Sequence, residues 1–531
     1  MLAPVVPQAL YTMWGAQTAG IVMPINWMLE PSIIAQLLRA ANAKVLVAYA
    51  GDVLVDTWPK VQAVAELVPD LQAVVVISEE GLAATSSNLP SQPRVIAYDD
   101  VIESFDGQGL TFSRAFAGPE TAVYRVGKFV RRHRTGVGAG IAVAVLDAGL
   151  PVVMVERDAA AVALGRSRVE KVYDGHVAKG RLTAEGKAAV MARFSGATDY
   201  AAFKDVDLVI EAVFEDMAVK HAVFAELDRH CKPGAVLATN TSYLDIDAIA
   251  QATSRPQDVI GLHFFSPANV MKLLEIVVPA QVSADVVATA FALATRLKKV
   301  PVRAGVCDGF IGNRILAVYR TAADHLMEDG ASPYEIDAMV RAFGFPMGPY
   351  EMSDLAGGDI GWATRKRRAA TRDPKARYLH IADQLCERGW FGQKTGRGWY
   401  LYEAGSRSGQ PDPEVEAIVA EARAKAGVTP RHFTPEEMQR RYVAAMVNEG
   451  AKVVEEGIAL RPLDVDVTLV HGYGFPRWRG GPMKHADQVG LGQILADIQA
   501  FAQEDPQFWQ PSALLVKLVA EGKTFDSLNK I

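Results

Sequence analysis

A histidine and a glutamate twelve residues apart have the right chemistry for a general base with a supporting carboxylate. His263 lies in the segment VIGLHFFSPANVMKLLEIV, just after a predicted buried strand, and Glu275 follows near its end. An imidazole can accept the proton of an alcohol, and a carboxylate on its second nitrogen fixes the tautomer and stabilises the imidazolium. Taken alone, a histidine beside two phenylalanines is more often a core residue, so the pair needs support from its surroundings.

Three further polar residues stand at the end of a predicted strand or the start of a predicted helix. Ser242 follows the run GAVLATN, and ligands of open α/β sheets bind at the carboxyl ends of strands. Glu156 ends the run VVMVE, where an acidic side chain can bind the ribose diol of an adenosine and repel a 2′-phosphate, which favours NAD over NADP. Asn313 begins a helix after the loop CDGFIG. Each has an ordinary alternative as a capping, packing or surface residue.

These residues need a parallel sheet to position them. The runs VVMVERD, DVDLVIEAV, GAVLATNTS and DVIGLHFF are short and β-branched, and segments of helical periodicity separate them. This pattern is typical of a doubly wound α/β domain. The strand signal is lost after about residue 305, which predicts helical domains for the rest of the chain.

The two helical segments carry related motifs. GFPMGPYEMSDLAG at 344–357 and GFPRWRGGPMKHADQVG at 474–490 place Gly-Phe-Pro ahead of Gly-Pro and an aspartate, which indicates an internal duplication. We therefore divide the chain into 1–122, a partial α/β segment; 125–305, the doubly wound domain; 306–404, a first helical domain; 405–433, a linker; and 434–531, a second helical domain.

The composition is that of a soluble globular protein with several cores. Of 531 residues, 50% are hydrophobic and 22% are charged, and the formal net charge of -6 gives no indication of a nucleic-acid partner. The three cysteines lack C-x-x-C spacing, so we expect no disulfide framework and no metal site, and a cytoplasmic location is the simplest setting. No apolar run reaches the roughly 18 to 20 residues that span a bilayer, so we expect no membrane segment.

Six segments resemble the 3-hydroxyacyl-CoA dehydrogenase family, in particular the dehydrogenase half of bacterial multifunctional β-oxidation enzymes. In chain order they are DVDLVIEAVFEDMAVK, LATNTSYLDI, IGLHFFSPANVMKLLEIV, CDGFIGNRI, GFPMGPYEMSD and WFGQKTGRGWYLYE. The resemblance implies a Rossmann-like domain followed by two all-α C-terminal domains. It also implies NAD-dependent oxidation of an L-3-hydroxyacyl-CoA to the 3-ketoacyl-CoA and, through the helical domains, a possible homodimer.

The resemblance also implies roles for the candidate residues. His263 is then the catalytic base and Glu275 its partner, while Ser242 contacts the substrate hydroxyl region and Asn313 positions the thioester and the reacting carbon. Three further residues are placed in the cofactor site, although the first two could also be a solvated helix pair: Glu215, Lys220 and Asn240.

The glycine-rich turn departs from the family pattern. Where the family has a sequence like VAVIGAGTMGAGIA, this chain has FVRRHRTGVGAGIA. His133 and Thr135 then occupy two glycine positions, and Arg131 and Arg132 fall in the strand interior, so side chains should obstruct the pyrophosphate. The remaining candidates for a shifted cofactor loop are Gly136, Gly138 and Gly140. If that loop fails, the chain is a catalytically impaired acyl-CoA-binding homologue.

The N-terminal segment resembles another family. WGAQTAGIVMPINWMLEPSIIAQLLRAANAKVLV is similar to the N-terminal domain of AMP-forming acyl-CoA synthetases. The phosphate loop, the adenylate-binding motifs and the lid lysine of that family are missing from the sequence, so an acyl-CoA ligase is the less favoured alternative.

A basic run at 365–368 could be interpreted as a nucleic-acid patch. Such a run in an acidic protein is usually a solvated helix face, and its better functional alternative is a contact to CoA phosphates.

Overall fold

The structure is a computed structural model that describes residues 30–40, 43–49, 58–77, 94–97, 126–129, 135–369, 372, 377–403, 406 and 408–529. Contacts divide the chain into two units, Met1–Phe112 and Ser113–Ile531. Each unit has its own hydrophobic core.

The first unit contains a small parallel sheet. Its strands β1 (Val45–Tyr49), β2 (Ala73–Ile77) and β3 (Arg94–Ala97) pair in that order, and its helices are α1 (Pro31–Ala40) and α2 (Trp58–Leu67). Apolar side chains of α1 and α2 pack with those of β1 and β2. The α/β alternation predicted for this segment is confirmed, and its relation to acyl-CoA synthetases stays a prediction.

The second unit is built on an eight-stranded sheet. In chain order its strands are β4 (Val126–Phe129), β5 (Val152–Val155), β6 (Phe194–Ala197), β7 (Leu208–Glu211), β8 (Val236–Thr239), β9 (Val259–Phe264), β10 (Leu273–Val277) and β11 (Val300–Ala304). Their spatial order is β11-β10-β9-β8-β7-β4-β5-β6. Strands β4 to β9 are parallel, and β10 is antiparallel to β9. The chain order reverses between β4 and β7, which is where doubly wound sheets bind ligands.

Helices cover both faces of this sheet. They are α3 (Thr135–Asp147), α4 (Ala159–Ala178), α5 (Ala184–Met191), α6 (Met217–His230), α7 (Ile246–Ala250) and α8 (Ala284–Arg296). Helices α4 and α6 begin where the carboxylates of Asp158 and Asp216 accept hydrogen bonds from backbone N–H groups of the first turn. Every residue of β7, β8 and β9 is buried, as expected for central strands with helices on both faces.

The start of the doubly wound domain differs from the prediction. Strand β4 ends at Phe129 and helix α3 begins at Thr135, whereas the family pattern placed the strand interior at Arg131 and Arg132. Those two arginines and His133 lie outside the described residues.

The prediction of a shifted glycine loop is wrong, because Gly136, Gly138 and Gly140 all lie within helix α3, while their binding of the cofactor stays a prediction. At Gly140 the lack of a side chain serves packing. A Cβ atom on Gly140 would lie 3.1 Å from the backbone nitrogen of Ala268. Gly140 therefore lets α3 approach the segment that joins β9 to β10.

The rest of the second unit is helical, and we call residues 312–529 the helical body. Its helices are α9 (Gly312–Asp329), α10 (Pro333–Phe343), α11 (Pro349–Ala356), α12 (Gly358–Arg368), α13 (Ile381–Glu387), α14 (Pro413–Ala426), α15 (Pro435–Glu455), α16 (Pro462–Gly472), α17 (Pro482–Val489), α18 (Leu491–Phe501) and α19 (Ala513–Ala520). A hairpin of two-residue strands, β12 (Tyr400–Leu401) and β13 (Gln410–Pro411), precedes α14.

The interpretation of 405–433 as a linker is wrong, because this segment contains strand β13 and helix α14. Asp412 caps the helix, Pro413 begins it and Gly427 ends it in a left-handed conformation. Val415, Ile418 and Val419 are buried in the core of the helical body. The segment is therefore part of that body.

The internal duplication is visible as one arrangement that occurs twice. In α10 the carboxylate of Asp337 accepts hydrogen bonds from the backbone N–H groups of Tyr350 and Glu351, at the start of α11. In α16, Asp466 accepts in the same way from the first turn of α17. Burial raises the pKa of Asp337 to about 7 and that of Asp466 to about 8. Each repeat thus anchors one helix, α11 or α17, on a buried aspartate of the preceding helix.

The close contact between Asp337 and Gly348 gives a stability test. A Cβ atom on Gly348 would clash with the Cα atom of Asp337, so Gly348→Ala should destabilise the fold by about 2 kcal/mol or more. A Cβ atom on Gly492, in α18, would meet nothing within 4 Å, so Gly492→Ala should be neutral or stabilise by up to about 1 kcal/mol. Chemical denaturation measures both, and equal stability of the two variants would contradict the packing described.

Candidate active site

The pairing of β9 with β10 places His263 directly opposite Glu275. Directly opposed residues of an antiparallel pair project from the same face of the sheet. Their strand neighbours pack in the core on the other face: Leu262, Phe264, Leu274 and Ile276. Both side chains of the pair are buried, and Nδ1 of His263 lies 2.7 Å from Oε2 of Glu275. The strand register thus forms the predicted base and carboxylate pair.

The second carboxylate oxygen of Glu275 binds the start of helix α9. The backbone N–H of Gly312 donates to Oε1 at 2.9 Å. Because a carboxylate only accepts hydrogen bonds, Nδ1 of His263 must carry the proton of its bond to Glu275. Nε2 is then the basic nitrogen that can take a proton from a substrate.

Aromatic rings surround the imidazole. The ring centres of Phe265 and Phe310 lie 4.5 Å and 5.7 Å from that of His263. These rings exclude water from the pair, which strengthens the interaction between the imidazole and the carboxylate. His263 is therefore buried, as expected of an ordinary core residue, but its imidazole is hydrogen-bonded to the carboxylate of Glu275.

Asn313 lies next to Gly312 and binds a tyrosine that was not predicted from the sequence. The Tyr473 hydroxyl lies 2.8 Å from Oδ1 of Asn313. Tyr473 follows helix α16, so it comes from the second helical repeat. The signal that could have identified it is its place immediately before the second Gly-Phe-Pro motif.

Ser242 and Asn240 lie in the loop after β8, close to the strand that carries His263. The backbone N–H of Ser242 donates to Oε1 of Glu215 at 2.7 Å, and the Thr241 hydroxyl donates to the same oxygen at 2.7 Å. Oδ1 of Asn240 accepts from the backbone N–H of Phe264 at 2.8 Å. Glu215 and Asn240 therefore hold the loop at the carboxyl ends of β7, β8 and β9.

Lys220 is buried in an ion pair, so the solvated-pair alternative is wrong for it. Its Nζ lies 2.9 Å from each carboxylate oxygen of Glu211, the last residue of β7, and 3.7 Å from Glu215. The Thr239 hydroxyl also donates to Glu211, at 2.8 Å. Glu211 was missed in the sequence, although it ends an apolar run as Glu156 does. Lys220 thus binds two carboxylates beside the point where the chain order reverses.

The described cofactor candidates fit NAD at this edge of the sheet. Glu156 directly follows β5, whose neighbour β4 leads into α3. A carboxylate in that position can accept hydrogen bonds from a ribose diol. The N-terminus of α3 carries Gly136 and Gly138, and free backbone N–H groups of a helix start favour a pyrophosphate.

The basic run is partly engaged within the helical body. Arg365 lies 2.6 Å from the carboxylate of Asp383. The Lys366 ammonium lies 3.2 Å from the ring centre of Trp362. The side chains of Arg367 and Arg368 lie outside the described residues. A contact to CoA phosphates from this run stays a prediction.

Within the described ranges no group of three or more His, Cys, Asp or Glu side chains is arranged to hold a metal ion. Among the helices that the structure describes, none is long and apolar enough to cross a membrane.

A doubly wound sheet with an acidic residue after its second strand and a buried histidine–carboxylate pair defines a nicotinamide-dependent dehydrogenase class. The NAD-binding domain model of the 3-hydroxyacyl-CoA dehydrogenases matches residues 136–307. The C-terminal domain model of the same family matches 309–402 and 438–527. The chain belongs to the 3-hydroxyacyl-CoA dehydrogenase family, so it is an NAD-dependent oxidoreductase by family.

Relatives and solved structures agree with this assignment. The peroxisomal bifunctional enzyme of Danio rerio is 44% identical over 400 residues, which cover 73% of this chain and 55% of the relative. The 3-hydroxybutyryl-CoA dehydrogenase of Escherichia coli K12 has a TM-score of 0.65 at 27% identity, covering 76% of this chain and 99% of that chain. The dehydrogenase part of multifunctional enzyme 1 from C. elegans has a TM-score of 0.56 at 28% identity, covering 74% and 89%. The chain spans about half the length of the curated relatives it matches.

The two donors that converge on Glu275 generate a prediction. An amide side chain offers one acceptor oxygen where the carboxylate offers two, so in Glu275→Gln either His263 or Gly312 faces an NH₂ group. We expect a loss of about 1–3 kcal/mol in unfolding free energy, measured by urea denaturation. Glu421→Gln, at an exposed position of α14, is the control and should change stability by less than about 0.5 kcal/mol. Equal stability of both variants would mean that these two hydrogen bonds contribute nothing.

Proposed function

We propose that the protein oxidises an L-3-hydroxyacyl-CoA to the 3-ketoacyl-CoA with NAD, as a step of fatty-acid β-oxidation. The observation that carries the proposal is the buried His263–Glu275 pair, with Nδ1 and Oε2 2.7 Å apart. The family assignment supports the reaction class, and several relatives are named as fatty acid beta-oxidation multifunctional proteins. An acyl-CoA is therefore the proposed substrate.

In the proposed reaction His263 acts as the general base. Nε2 takes the proton of the 3-hydroxyl group, and the imidazolium that forms is stabilised by the Glu275 carboxylate. NAD, when bound, supplies the acceptor for the hydride from carbon 3. Gly312 holds the other oxygen of Glu275, so the carboxylate does not have to reorient as charge develops on the imidazole.

The remaining site residues orient the reactants in this proposal. Ser242 contacts the substrate hydroxyl, and Asn313 positions the thioester oxygen. Glu156 selects NAD over NADP through the adenosine ribose. Glu215 and Lys220 keep the loops after β7 and β8 in place around the nicotinamide end of the site, since they bind backbone groups and carboxylates there.

A catalytically impaired acyl-CoA-binding homologue is the second candidate. The observation that favours it is the sequence RRHRT at 131–135, which stands where the family pattern has the strand end and two glycines. In this alternative the acyl-CoA site is retained and NAD affinity is low.

Assembly and location belong to the same proposal. We propose a homodimer that contacts through the helical body, which sedimentation of the purified chain would test. The cytoplasm stays the predicted location, while the curated relatives are named as peroxisomal or glyoxysomal. Cell fractionation distinguishes the two compartments.

Replacing the proposed base should abolish activity. We expect His263→Ala to lower kcat about 10²- to 10⁴-fold with the fold intact, because general-base catalysis contributes about that factor. The rate of NADH formation with 3-hydroxybutyryl-CoA measures it. His380→Ala, which removes an imidazole that is 73% exposed, is the control. Near-normal turnover by His263→Ala would remove this residue from the mechanism.

Restoring the glycine-rich turn tests the impaired alternative. Replacing residues 129–137 with VAVIGAGTM, aligned on Gly138, should tighten NAD binding at least tenfold, or about 1.4 kcal/mol. In the impaired alternative, side chains at the glycine positions would keep the pyrophosphate from the helix start, and this steric effect should outweigh a charge attraction of about 1 kcal/mol, the general value for an exposed pair. Calorimetry measures the affinity. Equal NAD affinity of both chains would show that the unaltered turn already accommodates the cofactor.

A further inference from the structure

Tyr473 contacts several parts of the candidate active site. Its hydroxyl lies 2.8 Å from Oδ1 of Asn313, and its ring lies edge-on to that of Phe265, with centres 5.5 Å apart. A Cβ atom on Gly312 would clash with the Tyr473 ring, so only glycine at position 312 allows the ring this close. The tyrosine therefore packs directly against the start of α9.

The bond between Tyr473 and Asn313 has a defined direction. Burial, and after it the negative charge of Glu275, raise the pKa of Tyr473 well above its ordinary value, so the hydroxyl keeps its proton. A tyrosine hydroxyl that donates to Oδ1 fixes which end of the amide faces it. The NH₂ group of Asn313 is then directed away from Tyr473.

The internal duplication supplies an independent comparison. The residue before the first Gly-Phe-Pro motif is Phe343, and the residue before the second is Tyr473. Phe343 is buried in the core of the helical body, for example against Phe475 with ring centres 5.7 Å apart, and the Arg479 guanidinium lies over its ring. An apolar aromatic ring therefore satisfies the packing role at this position of the repeat. The two repeats differ here in the Tyr473 hydroxyl, which reaches the candidate active site.

We propose that Tyr473 is a positioning residue that orients the Asn313 amide, so that the amide NH₂ donates a hydrogen bond to the thioester oxygen of the acyl-CoA. The second helical repeat then completes the acyl-CoA site of its own chain. This inference rests on the proposed function through the role given to Asn313.

A double-mutant cycle tests the inference. Tyr473→Phe removes one hydroxyl and keeps the ring, and Asn313→Ala removes the amide that it orients. The readouts are the Kd of acetoacetyl-CoA without NAD, measured by calorimetry, and kcat/KM with 3-hydroxybutyryl-CoA. The control is Tyr319→Phe. Tyr319 lies on α9, the helix that also carries Asn313, and it is buried. Its hydroxyl makes no hydrogen bond within the described part of the chain.

We expect Tyr473→Phe to weaken acetoacetyl-CoA binding about five- to tenfold, the effect of one hydrogen bond, and Tyr319→Phe to change it less than about twofold. In the Asn313→Ala background, Tyr473→Phe should have no further effect, because the amide to be oriented is gone. A tyrosine that served only folding would instead lower thermal stability and act equally in both backgrounds.

The outcomes separate the inference from the proposed function. Binding of acetoacetyl-CoA without any oxidation of 3-hydroxybutyryl-CoA would overturn the proposed function, while the coupling measured in Kd would still support the role of Tyr473. An equal effect of Tyr473→Phe in both backgrounds, or no effect in either, would overturn the inference. Failure of the unaltered chain to bind acetoacetyl-CoA would overturn it as well.

Discussion

The carboxylate of Glu275 is a negative charge inside the protein, and the arrangement of the site follows from the need to compensate it. A buried carboxylate requires donors for its oxygens, because transfer from water without them costs several kcal/mol. His263 supplies one donor from strand β9, and the backbone N–H of Gly312 supplies the other from the start of helix α9. One side chain thereby connects two strands of the sheet to the helical body. The same two bonds set the imidazole tautomer that base catalysis requires.

A second buried cluster stabilises the carboxyl end of the sheet. Lys220 lies between Glu211 and Glu215. Glu211 also accepts from the loop after β7 and from the end of β8, and Glu215 accepts from the loop after β8. A buried ion pair of this kind contributes little net stability, because desolvation offsets much of the attraction. Loss of one member of the pair would nevertheless leave the other charge without its partner in a low-dielectric interior. We therefore assign the cluster to keeping the loops in one conformation around the ligand site.

The two helical repeats share one packing arrangement, and the second repeat also contacts the start of helix α9. Buried aspartates anchor helices α11 and α17, and Gly348 and Gly481 make room for them. The repeats also bind each other: Arg314 of α9 forms ion pairs with Glu449 and Glu456 at α15 and its end. The second repeat lies against the start of α9. A tyrosine in place of an apolar ring at that position can therefore influence the Asn313 amide beside the His263–Glu275 pair.

The sequence alone predicted the class of fold and named the candidate residues of the site. Short β-branched runs at intervals predicted β5, β7, β8 and β9, because local propensity and burial pattern are properties of consecutive residues. It also identified His263 and Glu275 as a pair, and the repeated Gly-Phe-Pro motif as a duplication. It misjudged the segment at 405–433, where a polar composition concealed the capping signals of a helix. Only the tertiary structure decided that β10 returns antiparallel to β9 with Glu275 opposite His263, since a twelve-residue separation is compatible with many loop paths. The partners of buried polar groups were decided in the same way. Glu211 meets Lys220 only when helix α6 packs beside strand β7, and Tyr473, 160 residues from Asn313 in the chain, meets it only when the second repeat packs against the start of α9.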